Sequence, residues 1–235
     1  MKHIDVCLTP ELLHLHTIEN TIVVVTDVFR ATSCMVTAFA HGVGCIVPVA
    51  TVEECRAFQE RGYLTAAERN AQKIEGFELD NSPFSYMEPW IEGANIAMTT
   101  TNGTLAITKS RGAVKVLVGA FLNLEAVTRY LRTQSYDVLV LCAGWKGRVN
   151  LEDTLFAGAL VERLHDEYAI EEDSALMAQR LYQQGHTNLP AFLANSSHVQ
   201  RLQRLGIQDD IRYCLQHDLH DVVPVLRGNA LVKLG

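Results

Sequence analysis

No C-x-x-C pair occurs among the six cysteines of this 235-residue chain (positions 7, 34, 45, 55, 142 and 214). The usual zinc and dithiol-redox spacings are therefore missing. Most of these cysteines sit among apolar neighbours, as reduced core thiols do. Long apolar runs are missing as well. The most apolar window, 34–50, is interrupted by His41, Gly42, Gly44 and Pro48, so no membrane span is expected. The opening residues, MKHIDVCLTPELL, lack the apolar core and cleavage site of a secretory signal. Positive charge is scarce: 20 Lys and Arg stand against 27 Asp and Glu, a net −7 that argues against a nucleic-acid binder. A small anionic ligand stays compatible with that total, because local charge decides its binding. With no internal repeat, low-complexity tract or long linker, the expectation is one cytoplasmic domain over 1–235, without disulfides, membrane contact or nucleic acid.

What is present is an alternation. Continuous Val/Ile/Leu runs at Ile4–Leu8, Ile22–Thr26, Cys45–Val49, Asn95–Thr99, Val114–Val118 and Val138–Cys142 read as strands buried on both faces. Helical patterns lie between them, at Thr32–Ala40, Val52–Arg61, Thr104–Ser110, Leu124–Thr133 and Leu151–Tyr168. Strand-helix alternation predicts an α/β fold, with a largely parallel sheet covered on both sides. The last third, Ser174–Gln216, is helical. Val222–Leu226 reads as an edge strand, because Pro224 fits poorly in a central one.

In an open parallel sheet, ligands bind beyond the carboxyl ends of the strands. Four polar stretches fall at such places. DVFRATS (27–33) offers Asp27, Arg30, Thr32 and Ser33, either as an ordinary helix start or as a carboxylate and donors for metal and anion. TTTNGT (99–104) offers Thr101, Asn102, Gly103 and Thr104, either as a capped turn or as a phosphate cradle; it lacks the spacing of a nucleotide P-loop. Glu152 and Asp153 suit a first helical turn, but beside Lys146 and Arg148 they also suit Mg²⁺, which takes one or two carboxylates and keeps several waters. A short strand at Tyr63–Ala67 would place Glu68 and Arg69 at its end, and Asn81-Ser82 precedes Pro83 in turn chemistry. Trp145 either lines a pocket or packs. The HDLHD stretch (217–221) reads as a solvated surface helix, and His14 and His16 have no evident partners.

Taken together, DVFRATS (27–33), ERN (68–70), GFELDNSP (76–83), TTTNGT (99–104), FLN (121–123), CAG (142–144), LEDTLFAGAL (151–160) and LGIQDDIRYCL (205–215) resemble the 2-phosphosulfolactate phosphatase family over nearly the whole chain. The resemblance implies a three-layer α/β/α fold with a helical C-terminal part. It also implies Mg²⁺-dependent hydrolysis of (R)-2-phospho-3-sulfolactate to 3-sulfolactate and phosphate, a step linked to coenzyme M biosynthesis. Three positions depart from the family pattern: Ala67 and Asp80 replace usual glycines, and Trp145 replaces an expected polar residue. On this reading Asp27, Arg30, Glu152 and Asp153 are catalytic, and Asp27, Glu68, Glu152 and Asp153 supply the metal ligands. Thr32, Ser33, Arg69, Asn81, Ser82, Thr101, Asn102, Gly103, Thr104, Lys146 and Arg148 would meet the anionic phosphoester. Folds of this kind often form homodimers.

Overall fold

Strand β2 (Thr21–Thr26) is buried at every position, and its successive side chains enter two different cores. Ile22 and Val24 pack on one face of the sheet, with Leu155, Phe156 and Leu160 of helix α5 (Leu151–Leu164). Val23 and Val25 pack on the other, with Met35 and Val36 of helix α1 (Ala31–Ala40) and Ile107 of the helix Gly103–Lys109. A period of two, apolar on both phases, requires cover on both sides. The result is a three-layer α/β/α arrangement.

The computed structural model of the chain describes residues 1–69 and 72–235, and at 69 and 72 the backbone only. Besides β2 its strands are β1 (Lys2–Cys7), β3 (Cys45–Pro48), β4 (Leu64–Arg69), β5 (Gln72–Lys73), β6 (Asn95–Thr99), β7 (Lys115–Gly119), β8 (Asp137–Cys142), β9 (Tyr168–Ala169), β10 (Pro224–Arg227) and β11 (Ala230–Lys233). They form one sheet in the order β5-β4-β6-β3-β11-β10-β7-β2-β8-β1-β9. The β1–β8–β2–β7 block and the β3–β6–β4 block are parallel internally, while the β10–β11 hairpin joins them through antiparallel pairs. The sheet is therefore mixed. Between the strands run α2 (Val52–Ala57), α3 (Gly103–Lys109) and α4 (Leu124–Arg132). Helices α6 (Asp173–Gly185), α7 (Leu189–Leu193), α8 (Ser197–Arg204) and α9 (Gln208–Cys214) build the C-terminal part. No helix among the described residues is long and apolar enough to cross a membrane.

Three expectations are corrected. Pro224 opens β10, which lies in the middle of the sheet between β11 and β7. A proline is tolerated there because the first residue of a strand can do without a ladder N–H. Helix α5 stops at Leu164 rather than Tyr168, and Tyr168 joins the sheet beside Lys2 with its hydroxyl donating to the Leu131 carbonyl (2.8 Å). The HDLHD stretch is not helical: His217 packs on the Phe121 ring and His220 is hydrogen-bonded to the Tyr213 hydroxyl at 2.7 Å. All six cysteines are free, and Cys45 alone among them is not fully buried.

Sheet order alone would put β2 and β6 five ladder steps apart, roughly 24 Å in a flat sheet. Yet the N-terminus of α3, which follows β6, touches the loop that follows β2. The residues between each strand end and that contact, 27–30 and 100–102, reach across the gap, with the twist normal in a large sheet. The strand-end loops thus gather around one cleft.

Candidate active site

The loop after β2 is shaped by its own side chains. The Thr32 hydroxyl accepts from the Asp27 N–H (3.0 Å) and donates to the Asp27 carbonyl (2.9 Å), while the Ser33 hydroxyl donates to the Val28 carbonyl (2.9 Å). Both side chains are wholly buried, so they build the loop and are sealed from any substrate, contrary to their expected binding role. Thr104 behaves likewise: its hydroxyl donates to the Thr100 carbonyl (2.9 Å) and accepts from the Thr100 N–H. At Gly103, a Cβ would lie 2.7 Å from the Ala31 Cβ and 2.9 Å from an Asp27 carboxylate oxygen. Only glycine lets these two helix starts touch.

Asp153 also has a structural task. Its two carboxylate oxygens accept separately from the Val28 N–H (2.8 Å) and the Gly144 N–H (3.0 Å), tying the loops after β2 and β8 together. Burial, with Glu152 and Asp27 close by, holds its carboxyl well above the usual range, against the pull of those two donors. Glu152 is fully buried, and its Oε1 lies 2.6 Å from His198 Nδ1. Its Oε2 has no hydrogen-bond partner among the described residues.

The cleft itself is lined by Asp27, Phe29, Arg30, Glu68, Asn81, Thr100, Thr101, Asn102, Trp145, Lys146, His198, Arg201 and Leu202. Asp27 is pushed up to about 6. Desolvation is the main cause; Glu152 and Glu68 add repulsion, and His198 and the Ala31 N–H oppose it. The Arg30 guanidinium is held by an ion pair with Asp210, whose other oxygen accepts from the Ser82 hydroxyl at 3.1 Å. Ser82 thus positions Asp210 rather than facing a ligand. The Thr101 hydroxyl is 3.5 Å from Glu68 Oε1, and Asn81 keeps a buried side-chain oxygen without a partner among the described residues. The Asn102 side-chain oxygen accepts from the Lys146 N–H at 3.2 Å, which links the loops after β6 and β8.

The Trp145–Arg148 turn is closed by reciprocal backbone hydrogen bonds, with positive φ at both central residues, Lys146 (51°) and Gly147 (74°). That pattern favours Asn-Gly or Gly-Gly, and a lysine at the first position costs about 1–2 kcal/mol. Gly144 (φ 59°) permits the close return, since a Cβ there would lie 2.3 Å from the Arg148 carbonyl oxygen. Arg148 contributes that carbonyl. Its exposed side chain is not among the cleft-lining groups. The Arg69 side chain and Asn70 lie outside the described residues.

The cleft thus unites Asp27, Arg30, Glu68, Asn81, Thr101, Asn102 and Lys146. It leaves Thr32, Ser33, Ser82, Gly103, Thr104, Arg148 and Asp153 as framework or periphery. Three further contributors were not singled out from sequence. His198 and Arg201 lie three apart on α8, where Val199 and Leu202 face the core, so they form the second stripe of an amphipathic helix. Asp210 sits in LGIQDDIRYCL, but nothing local distinguishes it from Asp209, which is exposed. Among the described residues no three His, Cys, Asp or Glu side chains form a ready metal cage. Mg²⁺ does not require one. A cleft with crowded carboxylates and an unpartnered buried oxygen fits a hard divalent cation.

Comparison with known proteins finds relatives over most of the chain. A family profile for 2-phosphosulpholactate phosphatase matches residues 7–229. A probable 2-phosphosulfolactate phosphatase of Thermotoga maritima is 41% identical over 215 residues, covering 92% of this chain and 93% of its own. One of Caldanaerobacter subterraneus is 40% identical over 216 residues (90% and 89%), and one of Symbiobacterium thermophilum is 40% identical over 221 (91% and 94%). The chain belongs to the 2-phosphosulfolactate phosphatase family.

Proposed function

We propose that this protein hydrolyses (R)-2-phospho-3-sulfolactate to (R)-3-sulfolactate and phosphate in a Mg²⁺-dependent reaction. The observation that carries the reading is the meeting of Asp27, Arg30, Glu68 and Asn102, from three separate strand ends, in one cleft of a chain belonging to this family. Asp27 and Glu68 line that cleft and would hold the metal. When bound, the ion would neutralise phosphoryl charge and orient the attacking water. Arg30, fixed by Asp210 and Ser82, is pre-set to pair with phosphoryl oxygens, and pre-setting spares the entropy of ordering a long side chain. Asn81 and Asn102 add neutral donors beside it. His198, engaged at Nδ1 by Glu152, keeps its other ring nitrogen for proton exchange with the departing hydroxyl oxygen.

Asp80 is spent elsewhere: its Oδ1 accepts from the Ser82 N–H (2.9 Å) and the Ser85 hydroxyl (2.7 Å), and it does not line the cleft. Its charge therefore supplies no argument for a different substrate. Six unpaired thiols suit a cytoplasmic setting.

The test is phosphate release from (R)-2-phospho-3-sulfolactate. Activity should vanish with EDTA and return with Mg²⁺, and Asp27→Asn should lower kcat by at least ~100-fold. Release that is indifferent to EDTA would remove the metal. No release from this ester, with turnover of other small phosphoesters, would remove the substrate assignment.

A further inference from the structure

Two cations at the cleft share one aromatic ring. The Lys146 Nζ lies 4.8 Å from the centre of the Trp145 ring, and the Arg201 guanidinium carbon lies 5.1 Å from it. All three side chains line the cleft. Among the described residues neither Lys146 nor Arg201 forms an ion pair, whereas Arg30 is paired with Asp210. Long cationic side chains at a surface are usually mobile. Here the ring face attracts both and limits their rotamers. The backbone adds a second, independent sign. Lys146 occupies the left-handed region at a turn position that glycine or asparagine fills without strain. Strained conformations of this kind gather at ligand sites. Its N–H is tied to Asn102, so the turn is anchored to the loop after β6.

Like charges brought together and left without carboxylate partners make a seat for an anion. On the reading above, the reacting phosphoryl group takes its partners from Arg30 and the two asparagines. We propose that Lys146 and Arg201, ordered on Trp145, select substrates carrying a second, non-reacting oxyanion, a sulfonate or a carboxylate, on the carbon skeleton that bears the phosphoester. The proposal rests on the phosphatase reading above and names its specificity element. Because the cations are held in place before the substrate arrives, less binding energy is lost to ordering them. Contacts to a non-reacting group can then orient the phosphoryl group for attack.

The experiment uses four esters: 2-phospho-3-sulfolactate, 2-phospholactate, the phosphate ester of 2-hydroxyethanesulfonate, and glycerol 2-phosphate. The second carries only the carboxylate, the third only the sulfonate, the last neither. Arg201→Gln and Lys146→Gln should lower kcat/KM for esters with the recognised oxyanion by roughly 10- to 100-fold more than for glycerol 2-phosphate, mainly through KM. Arg201→Lys should recover part of the loss. The single-anion ester that suffers more identifies the group. A second measurement is independent of turnover. The chain has two tryptophans, so Trp90→Phe leaves Trp145 as the only indole. Its emission should shift on titration with 3-sulfolactate, and much higher concentrations should be needed once Arg201→Gln is added. Equal losses across all four esters, or emission that ignores 3-sulfolactate, would overturn the proposal. If the wild-type protein cleaves none of the four, the phosphatase reading fails, and the emission titration still decides the anion seat.

Discussion

Glu152 and His198, 46 residues apart, meet at 2.6 Å in a site that shuts the carboxylate away from water completely. Among the described residues the imidazole is the one side chain hydrogen-bonded to Glu152 Oε1. Removing the ring leaves a buried carboxyl group without its partner. His198→Ala should therefore destabilise the fold by about 1–3 kcal/mol in urea unfolding, and adding Glu152→Leu should recover part of the loss. If His198→Ala leaves stability unchanged, the pair carries no structural weight.

Asp153 spans two loops with two acceptor oxygens. Asp153→Asn keeps the shape but turns one acceptor into a donor facing a backbone N–H. A loss of about 1–3 kcal/mol is expected, with a lower kcat, because the loops after β2 and β8 both frame the cleft. Full activity in this variant would show that the bridge does not hold the cleft in shape.

Gly103 stands where a methyl group would collide with Ala31 and with the Asp27 carboxylate. Gly103→Ala should separate the starts of α1 and α3, lowering stability by about 1–3 kcal/mol and lowering activity with it. A crystal structure of the variant with Asp27 unmoved would contradict this account.

His16 and Asp5 of β1 lie 3.0 Å apart, both about four-fifths buried. The hydrogen bond it donates to Asp5 is the main cause that raises the imidazole from 6.5 to about 10. Burial pushes the Asp5 carboxyl up, but hydrogen bonds from His16, Ser174 and the Val6 N–H outweigh it and leave it lowered. The folded state thus binds the imidazole proton more tightly than the unfolded chain, so this stabilisation is complete below pH 6.5 and is lost as pH rises towards 10. On the acid side it fades as Asp5 takes up a proton below its ordinary value of 3.8. In urea titrations from pH 6.5 to 10, the wild type should lose more stability than His16→Asn. Parallel curves would refute the linkage.

Much of the fold is written locally. The runs at Ile22–Thr26, Asn95–Thr99 and Val138–Cys142 became strands with ends within one residue of those read from periodicity. Their polar successors then had to fall at strand ends. Proline was misleading at 224, because its penalty depends on which N–H the ladder needs, and that is decided by neighbours more than a hundred residues away. Thr32, Ser33 and Thr104 were misread for a related reason. A hydroxyl beside a helix start can face outward to a ligand or inward to its own loop, and sequence does not distinguish the two.

By itself, the order of residues determined an alternating α/β chain whose acids, arginines and small hydroxyls cluster where strands end, because period-two apolar runs and turn chemistry are local properties. Only the tertiary structure decided which of those groups share a cleft. The fold brings the loop after β6 against the loop after β2, and α8 delivers His198 and Arg201 from the far end of the chain. Such meetings depend on strand order and helix docking, which pair residues distant in sequence and leave no local mark on either partner.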